Sequence, residues 1–274
     1  MEDWTGILRL DAEERHGKTV AKNVYFQGAF KVMRPIYHDH SGQPCYYILN
    51  PGGGFLDGDR YQMKVSLAEQ ARMTLTTQSA TKIYKTPNKP AYQETEFTLK
   101  KGSYLEYITD PLIGYQDAKY VQKTVVRMEK GSTFLYSDII TSGWSPEGTK
   151  FSYDLLQLMT EIYIDDELAV YDHIKLNPSS QNIASLGYME GYTHLGSMML
   201  IGEQADNELL DRLYHAIHED TKEYNIGLSL LPVTGILIRI LANSTQTIER
   251  IQTECHRVIS QELFNSSPSF LRKY

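Results

Sequence analysis

Within one eleven-residue stretch, Asn50-Pro51-Gly52-Gly53-Gly54-Phe55-Leu56-Asp57-Gly58-Asp59-Arg60, the chain places a proline, four glycines and two acids. Glycine reaches positive φ and lets another backbone or a ligand approach closely, so here the path of the main chain counts for more than its side chains. Three chemistries use such loops. A phosphate cradle ends in Gly-Lys-Ser/Thr and opens a helix. Here Gly58 is followed by Asp59, and Tyr61, Met63, Val65 and Leu67 then alternate as a strand does. The dinucleotide fingerprint must also open a helix and fails on the same ground. An EF-hand loop begun at Asp57 requires acidic or amide, glycine and glutamate residues where Tyr61, Gln62 and Ala68 stand. The reading that remains is a tight structural turn, built on Gly52, Gly53, Gly54 and Gly58, that aims its acids at something.

Other side chains offer metal chemistry in fragments. His38-Asp39-His40 supplies at most two imidazoles, and a stable site needs three or four ligands. His215 and His218 lie one helical turn apart on what reads as a solvated helix face. Asp59 and Glu161 are carboxylates in positions where burial without a partner is costly. Thr76 and Thr77 add hydroxyls. Oxygen donors of this kind hold divalent cations weakly, which suits transit better than storage. Each also has an ordinary explanation: Asp59 satisfying turn N–H groups, Glu161 paired with a lysine or arginine, and the threonines favouring a strand. No nucleophile elbow or His-Glu-x-x-His motif occurs, and neither cysteine sits in an activating context. A β-rich enzyme using paired carboxylates on a small or carbohydrate substrate stays open, because its two acids would be distant in sequence.

The elements that must position these residues are mostly strands. Alternation predicts them at 65–67, 73–77, 94–99, 104–108, 120–128, 133–140, 151–164 and 168–176. Three segments, predicted as hairpins, align with one another: 65–75, 97–107 and 126–136. Each runs apolar-x-apolar, turns at Gln70, Gly102 or Gly131, and resumes alternation. A repeat of that size implies stacked supersecondary units. Beyond residue 200, Asp206 is placed to cap a helix carrying Leu209, Leu210, Leu213, Tyr214 and Ile217. Two strand-like runs flank Pro232, and Ser244 is placed to cap a second helix with Ile248, Ile251, Cys255, Val258 and Ile259. No low-complexity linker interrupts the chain. The expectation is a mainly β protein: stacked, solenoid-like sheets in one domain over residues 1–274, with two α-helices in the C-terminal third.

Length and charge narrow the partners. With 274 residues the chain can bury a substantial core. A net charge of −7, with no basic cluster, argues against nucleic acid. Two distant cysteines, Cys45 and Cys255, imply a reducing compartment. The start of the chain is unlike a signal peptide, and the most apolar stretch, 226–241, is broken by Pro232, Gly235 and Arg239. A soluble cytoplasmic protein is expected.

Two motifs carry a resemblance. Residues 50–59, followed by Leu75-Thr-Thr-Gln-Ser-Ala-Thr-Lys-Ile-Tyr84, closely resemble the urease accessory protein D family, also called UreH. The likeness continues through Tyr104-Leu-Glu-Tyr107, Pro111 and residues 161–176. It departs from the family pattern at Leu56-Asp57 and around 137–144. The resemblance implies a non-catalytic maturation factor, without a tightly bound cofactor, that binds the urease apoenzyme and recruits UreF and, through it, the GTPase UreG. A dimer of heteromers is the implied assembly. It further implies that Ni2+ passes transiently through a water-filled route in the β-rich protein. Asp59, Thr76, Thr77 and Glu161 are the residues expected to line that route, with Asp138 added from the divergent stretch. A scaffold that never touches nickel fits the same sequence. The tail from Gln261, with Phe264, Phe270, Leu271 and Tyr274, is a candidate contact surface.

Overall fold

The computed structural model describes residues 4–217 and 223–265. The chain begins with β1 (Gly6–Arg15), β2 (Lys18–Gly28), β3 (Lys31–Val32), β4 (Ile36–Tyr37), β5 (Pro44–Leu49) and β6 (Arg60–Leu67). It continues through β7 (Arg72–Thr77), β8 (Thr81–Ile83), β9 (Ala91–Leu99), β10 (Tyr104–Ile108), β11 (Leu112–Gly114) and β12 (Lys119–Met128). There follow β13 (Thr133–Ile140), β14 (Leu155–Ile164), β15 (Glu167–Leu176) and β16 (His194–Ile201). The last elements are α1 (Asn207–Ile217), β17 (Tyr224–Leu230), β18 (Gly235–Ala242) and α2 (Thr245–Phe264).

Two sheets face each other. One runs β15-β14-β12-β9-β6-β1-β2, and the other β17-β18-β16-β13-β10-β7-β5-β3. The three aligned segments are the units that build both, and they are not hairpins. Each sends its first strand to one sheet and its second to the other, so β6, β9 and β12 stack in parallel while β7, β10 and β13 do the same opposite them. The sequence alignment is also the register: Phe97 pairs with Val65 and Val126, and Leu105 pairs with Met73 and Phe134. The arches turn at Gln70, Gly102 and Gly131, all at positive φ, with Gln70 taking the left-handed place of the glycines. Mainly β, solenoid-like stacking thus describes the fold.

Alternation decides which side chains meet. Inward residues of both sheets, among them Met63, Phe97, Leu105, Tyr120 and Phe134, form the larger core. The opposite face of the second sheet packs against the helices through Leu135, Met198, Ile238, Ile240, Ile248 and Cys255. The Asp206 carboxylate accepts the Leu209 N–H at 2.9 Å, and the Ser244 hydroxyl accepts the Thr247 N–H at 3.1 Å, so both expected caps form. On α1, Leu209, Leu213 and Ile217 are buried and Leu210 packs beside them partly buried, leaving Tyr214 alone of the expected stripe exposed. Residues 151–154 precede β14 rather than belong to it.

Candidate functional site

Between the sheets lies a cavity of about 320 Å³. Its rim is made by the two motifs singled out in the sequence. Asn50, Pro51, Gly53 and Gly54 form one lip, and Gln78 to Lys82 form the other. Backbone bonds tie the lips together: the Phe55 N–H donates to the Lys82 carbonyl at 2.8 Å, and the Tyr84 N–H to the Phe55 carbonyl at 2.9 Å. A Cβ on Gly54 would stand 2.5 Å from that Lys82 carbonyl oxygen, so only glycine lets the strands close this far. Pro51, Gly53, Gln78 and Ser79 are exposed, whereas Phe55 is buried and packs on Tyr61 and Tyr120. This end of the cavity is its mouth.

Polar groups continue inward. The Thr77 hydroxyl donates to Asp110 Oδ2 at 2.7 Å and accepts the Asp110 N–H at 2.7 Å, which fixes a carboxylate just inside the mouth. Deeper lie Gln93, Gln122, Tyr107, Tyr120 and Tyr136. The Tyr120 hydroxyl lies 3.3 Å from Gln93 Oε1 and 3.1 Å from Gln122 Oε1. At the far end Asp138 is buried. Its Oδ2 accepts the Tyr136 hydroxyl at 2.8 Å, while Oδ1 has no partner at hydrogen-bond geometry among the described residues. Burial pushes the Asp138 carboxyl above the ordinary aspartate value, outweighing Tyr136, Arg239 and Ser197, which act in the opposite direction. The same burial raises the Tyr107, Tyr120 and Tyr136 phenols, so all three are neutral hydroxyls.

Of the five residues expected to line a route, the structure brings two to this cavity, Thr77 and Asp138. Thr76 alternates to the opposite face of β7, and its hydroxyl donates to the Ile108 carbonyl at 2.6 Å. Asp59 holds the glycine turn from outside the cavity, accepting the Leu56 N–H at 2.7 Å and the Thr5 hydroxyl at 3.1 Å. Its neighbour Asp57 accepts the backbone N–H groups of Asn88 and Lys89, which lower its pKa. Glu161 sits on the outer face of β14, paired with Lys123 at 3.2 Å. Within the glycine turn, Gly53, Gly54 and Gly58 adopt positive φ and Gly52 does not.

Sequence reasoning passed over Asp110 and Glu106. Glu106 lies on the other side of β10, under α2, and is nearly inaccessible. It accepts the Thr74 hydroxyl at 2.7 Å, the Tyr104 hydroxyl at 2.6 Å and the His256 Nε2 at 2.9 Å. Burial alone would raise this carboxyl, but His256 and the two hydroxyls outweigh it and hold the pKa below the ordinary glutamate value. The available signal was a carboxylate inside an otherwise apolar strand. His38 and His40 stay in a loop, and the described residues contain no group of three or more metal-ligating side chains. His215 is exposed, whereas His218, Phe270, Leu271 and Tyr274 lie outside the described residues. Phe264 packs on Tyr104 and Arg72. No helix among the described residues is long and apolar enough to cross a membrane.

Comparison with known proteins bears on this geometry. Residues 5–273 match the family described as UreD urease accessory protein. A protein named urease accessory protein UreD from Lachnoclostridium phytofermentans is 48% identical over 274 residues, covering 100% of both chains. Proteins of the same name from Staphylococcus epidermidis and Staphylococcus aureus are 43% and 42% identical, each covering at least 98% of both chains.

Proposed function

The chain belongs to the UreD family of urease accessory proteins, and from that membership we propose that it passes nickel toward the urease apoenzyme through the cavity between its sheets. It is an accessory protein of urease maturation, not an enzyme. In this reading it binds apo-urease in the cytoplasm and recruits UreF, which brings the GTPase UreG, in a complex that is a dimer of heteromers. The protein folds as one domain and holds nickel only in passing.

One observation carries the reading. The two motifs that distinguish the sequence form the mouth of a cavity whose far end holds a buried carboxylate oxygen with no hydrogen-bond partner among the described residues. Such an oxygen is costly to bury unless something visits it. A hydrated divalent cation is the fitting visitor, because carboxylates, hydroxyls and amide oxygens bind such ions through water and exchange them. Asp110 and Thr77 would receive the ion inside the mouth, and Gln93 and Gln122 would escort it to Asp138. Asp59, Thr76 and Glu161 enter this proposal as structural residues, since each is already engaged outside the cavity.

The test is co-purification of this protein with UreF, UreG and apo-urease, followed by urease activity and nickel content per active site. Thr77→Val and Asp138→Asn should leave the complex intact and lower the nickel delivered. Full delivery by both variants within an intact complex would leave the chain a scaffold that does not touch nickel.

A further inference from the structure

The cavity stops at Asp138, yet the polar character of the interior does not. Asp138 on β13 pairs in register with Ser197 on β16, and Ser197 with Arg239 on β18. In-register partners point to one side of a sheet, so these three form a row facing inward. The opposite sheet carries a matching row. Thr95, Thr124, Thr160 and Asp172 are successive register partners across β9, β12, β14 and β15. The rows meet where the Arg239 guanidinium bonds the Ser197 hydroxyl and reaches across to Asp172 Oδ1 at 2.5 Å.

The layers on either side of these rows are apolar at this flank: Leu195 with Leu241 and Met199 with Leu237 on one sheet, Leu158 with Ile174 and Ile162 with Val170 on the other. A single polar line therefore runs from the deep end of the cavity to the flank between β15 and β18. Thr124 is 2% exposed and its hydroxyl has no hydrogen-bond partner among the described residues, an uncompensated cost in an ordinary core. The ion pair ending the line is about a quarter exposed on both sides, 26% for Arg239 and 25% for Asp172. Pairs so placed are weak ties that thermal motion breaks readily.

We propose that Arg239 and Asp172 form a latch over a second opening of the cavity, and that a divalent cation leaves between β15 and β18 when the guanidinium swings into solvent. Closed, the guanidinium puts a positive charge across the path and repels an approaching cation. Open, it exposes Asp172 as the next oxygen donor after Asp138 and Ser197. That the cation is nickel rests on the function proposed above; the latch itself does not.

The test reads access to the line without nickel or urease. Thr160→Cys, at the register partner of Asp172, serves as the reporter, because the native Cys45 and Cys255 are 2% and 0% exposed. Its modification by a small cationic methanethiosulfonate is timed in the full chain. Adding Arg239→Met or the near-isosteric Asp172→Asn should speed labelling roughly fivefold, the change in open fraction expected on losing a weak ion pair. Lys123→Met, which breaks the outer-face pair with Glu161, should leave the rate alone. Unfolding midpoints measured alongside confirm that the reporter sits in folded protein. Unchanged labelling in both latch variants, or an equal rise with Lys123→Met, overturns the latch. Failure of the nickel reading has a different signature: full nickel delivery by Asp138→Asn while labelling still responds to Arg239→Met.

Discussion

Asp138→Asn should make this protein more stable and, on the proposed route, lower the nickel delivered to urease. Asp138 is 6% exposed, one carboxylate oxygen accepts the Tyr136 hydroxyl at 2.8 Å, and the other has no partner at hydrogen-bond geometry among the described residues. The nearby cation does not rescue it, because Arg239 directs its fork to Ser197 and Asp172. An asparagine keeps the shape and the acceptor for Tyr136 and removes the charge. A buried acceptor without a partner costs about 1–3 kcal/mol, and more when charged. The amide nitrogen inherits the position of the orphan oxygen, so only part of this is recovered, about 1–2 kcal/mol. That corresponds to a rise in Tm of about 2–8 °C for a chain of this size. The sign with pH is fixed by linkage. A carboxyl raised in the folded state binds its proton more tightly there than when unfolded, so wild type loses stability as pH rises from the ordinary value of 3.8 through the native value. The advantage of the variant should vanish near pH 3.8 and grow toward neutrality. Urea denaturation of both proteins from about pH 4 to about pH 8 measures this directly. A variant no more stable than wild type at neutral pH, or an advantage that shrinks as pH rises, would refute the claim that this carboxylate is held in place at the expense of stability.

Glu106 should behave in the opposite way. Its carboxyl is depressed in the folded state, so its contribution is present above the ordinary value of 4.5 and is lost as pH falls through the lower native value. Removing its partner with His256→Ala should cost about 3–5 kcal/mol by stranding a buried charge, and should be read by the same denaturation assay. Asp59→Ala should cost about 1 kcal/mol through the lost turn bonds to Leu56 and Thr5. Glu161→Ala should change stability by less than about 1 kcal/mol and leave urease activation near wild type, because the pair with Lys123 faces outward. Gly54→Ala should cost about 1–3 kcal/mol by forcing a Cβ against the Lys82 carbonyl, with urease activation falling as the rim loosens.

Strand positions were legible because one face of each strand is buried, and the period-2 signal survives in β7, β10 and β13 to within a residue. The register was legible too, since the aligned repeats pair residue for residue. What could not be read was where each unit sends its second strand. A four- or five-residue turn between alternating runs serves a hairpin or an arch between sheets equally well, and only the stacked partner distinguishes them. The same ambiguity governed the candidate site. Asp59 and Glu161 stood out as acids among apolar and hydroxyl residues, but alternation alone does not say which face of a strand looks inward when both faces carry polar side chains. Asp59 lies in a turn, where its carboxylate finds N–H groups three residues away. Glu161 lies on the face shared with Lys123, and Thr160 beside it turns inward.

Stacking explains how so acidic a chain, with so few buried charges, can draw a polar line through its core. In a parallel stack, a hydroxyl that recurs at the repeat spacing becomes a row rather than scattered points. Thr95 and Thr124 are 29 residues apart and pair directly, and Thr160 extends the row on the next strand. The same rule puts Thr74 beside its register partner Glu106 at a separation of 32, while Thr77 reaches Asp110, just past the end of β10, through its hydroxyl. Alternation sends Thr77 to the cavity and Thr74 with Glu106 to the helix, and the chain turns past the end of β10 to bring Asp110 onto the cavity side against Thr77. Glu106 is satisfied three times over and pins α2, as a structural carboxylate must. Asp138 is left with one oxygen open, and that difference in hydrogen bonding, rather than in residue type, separates the carboxylate that holds the fold from the one the proposed route would use.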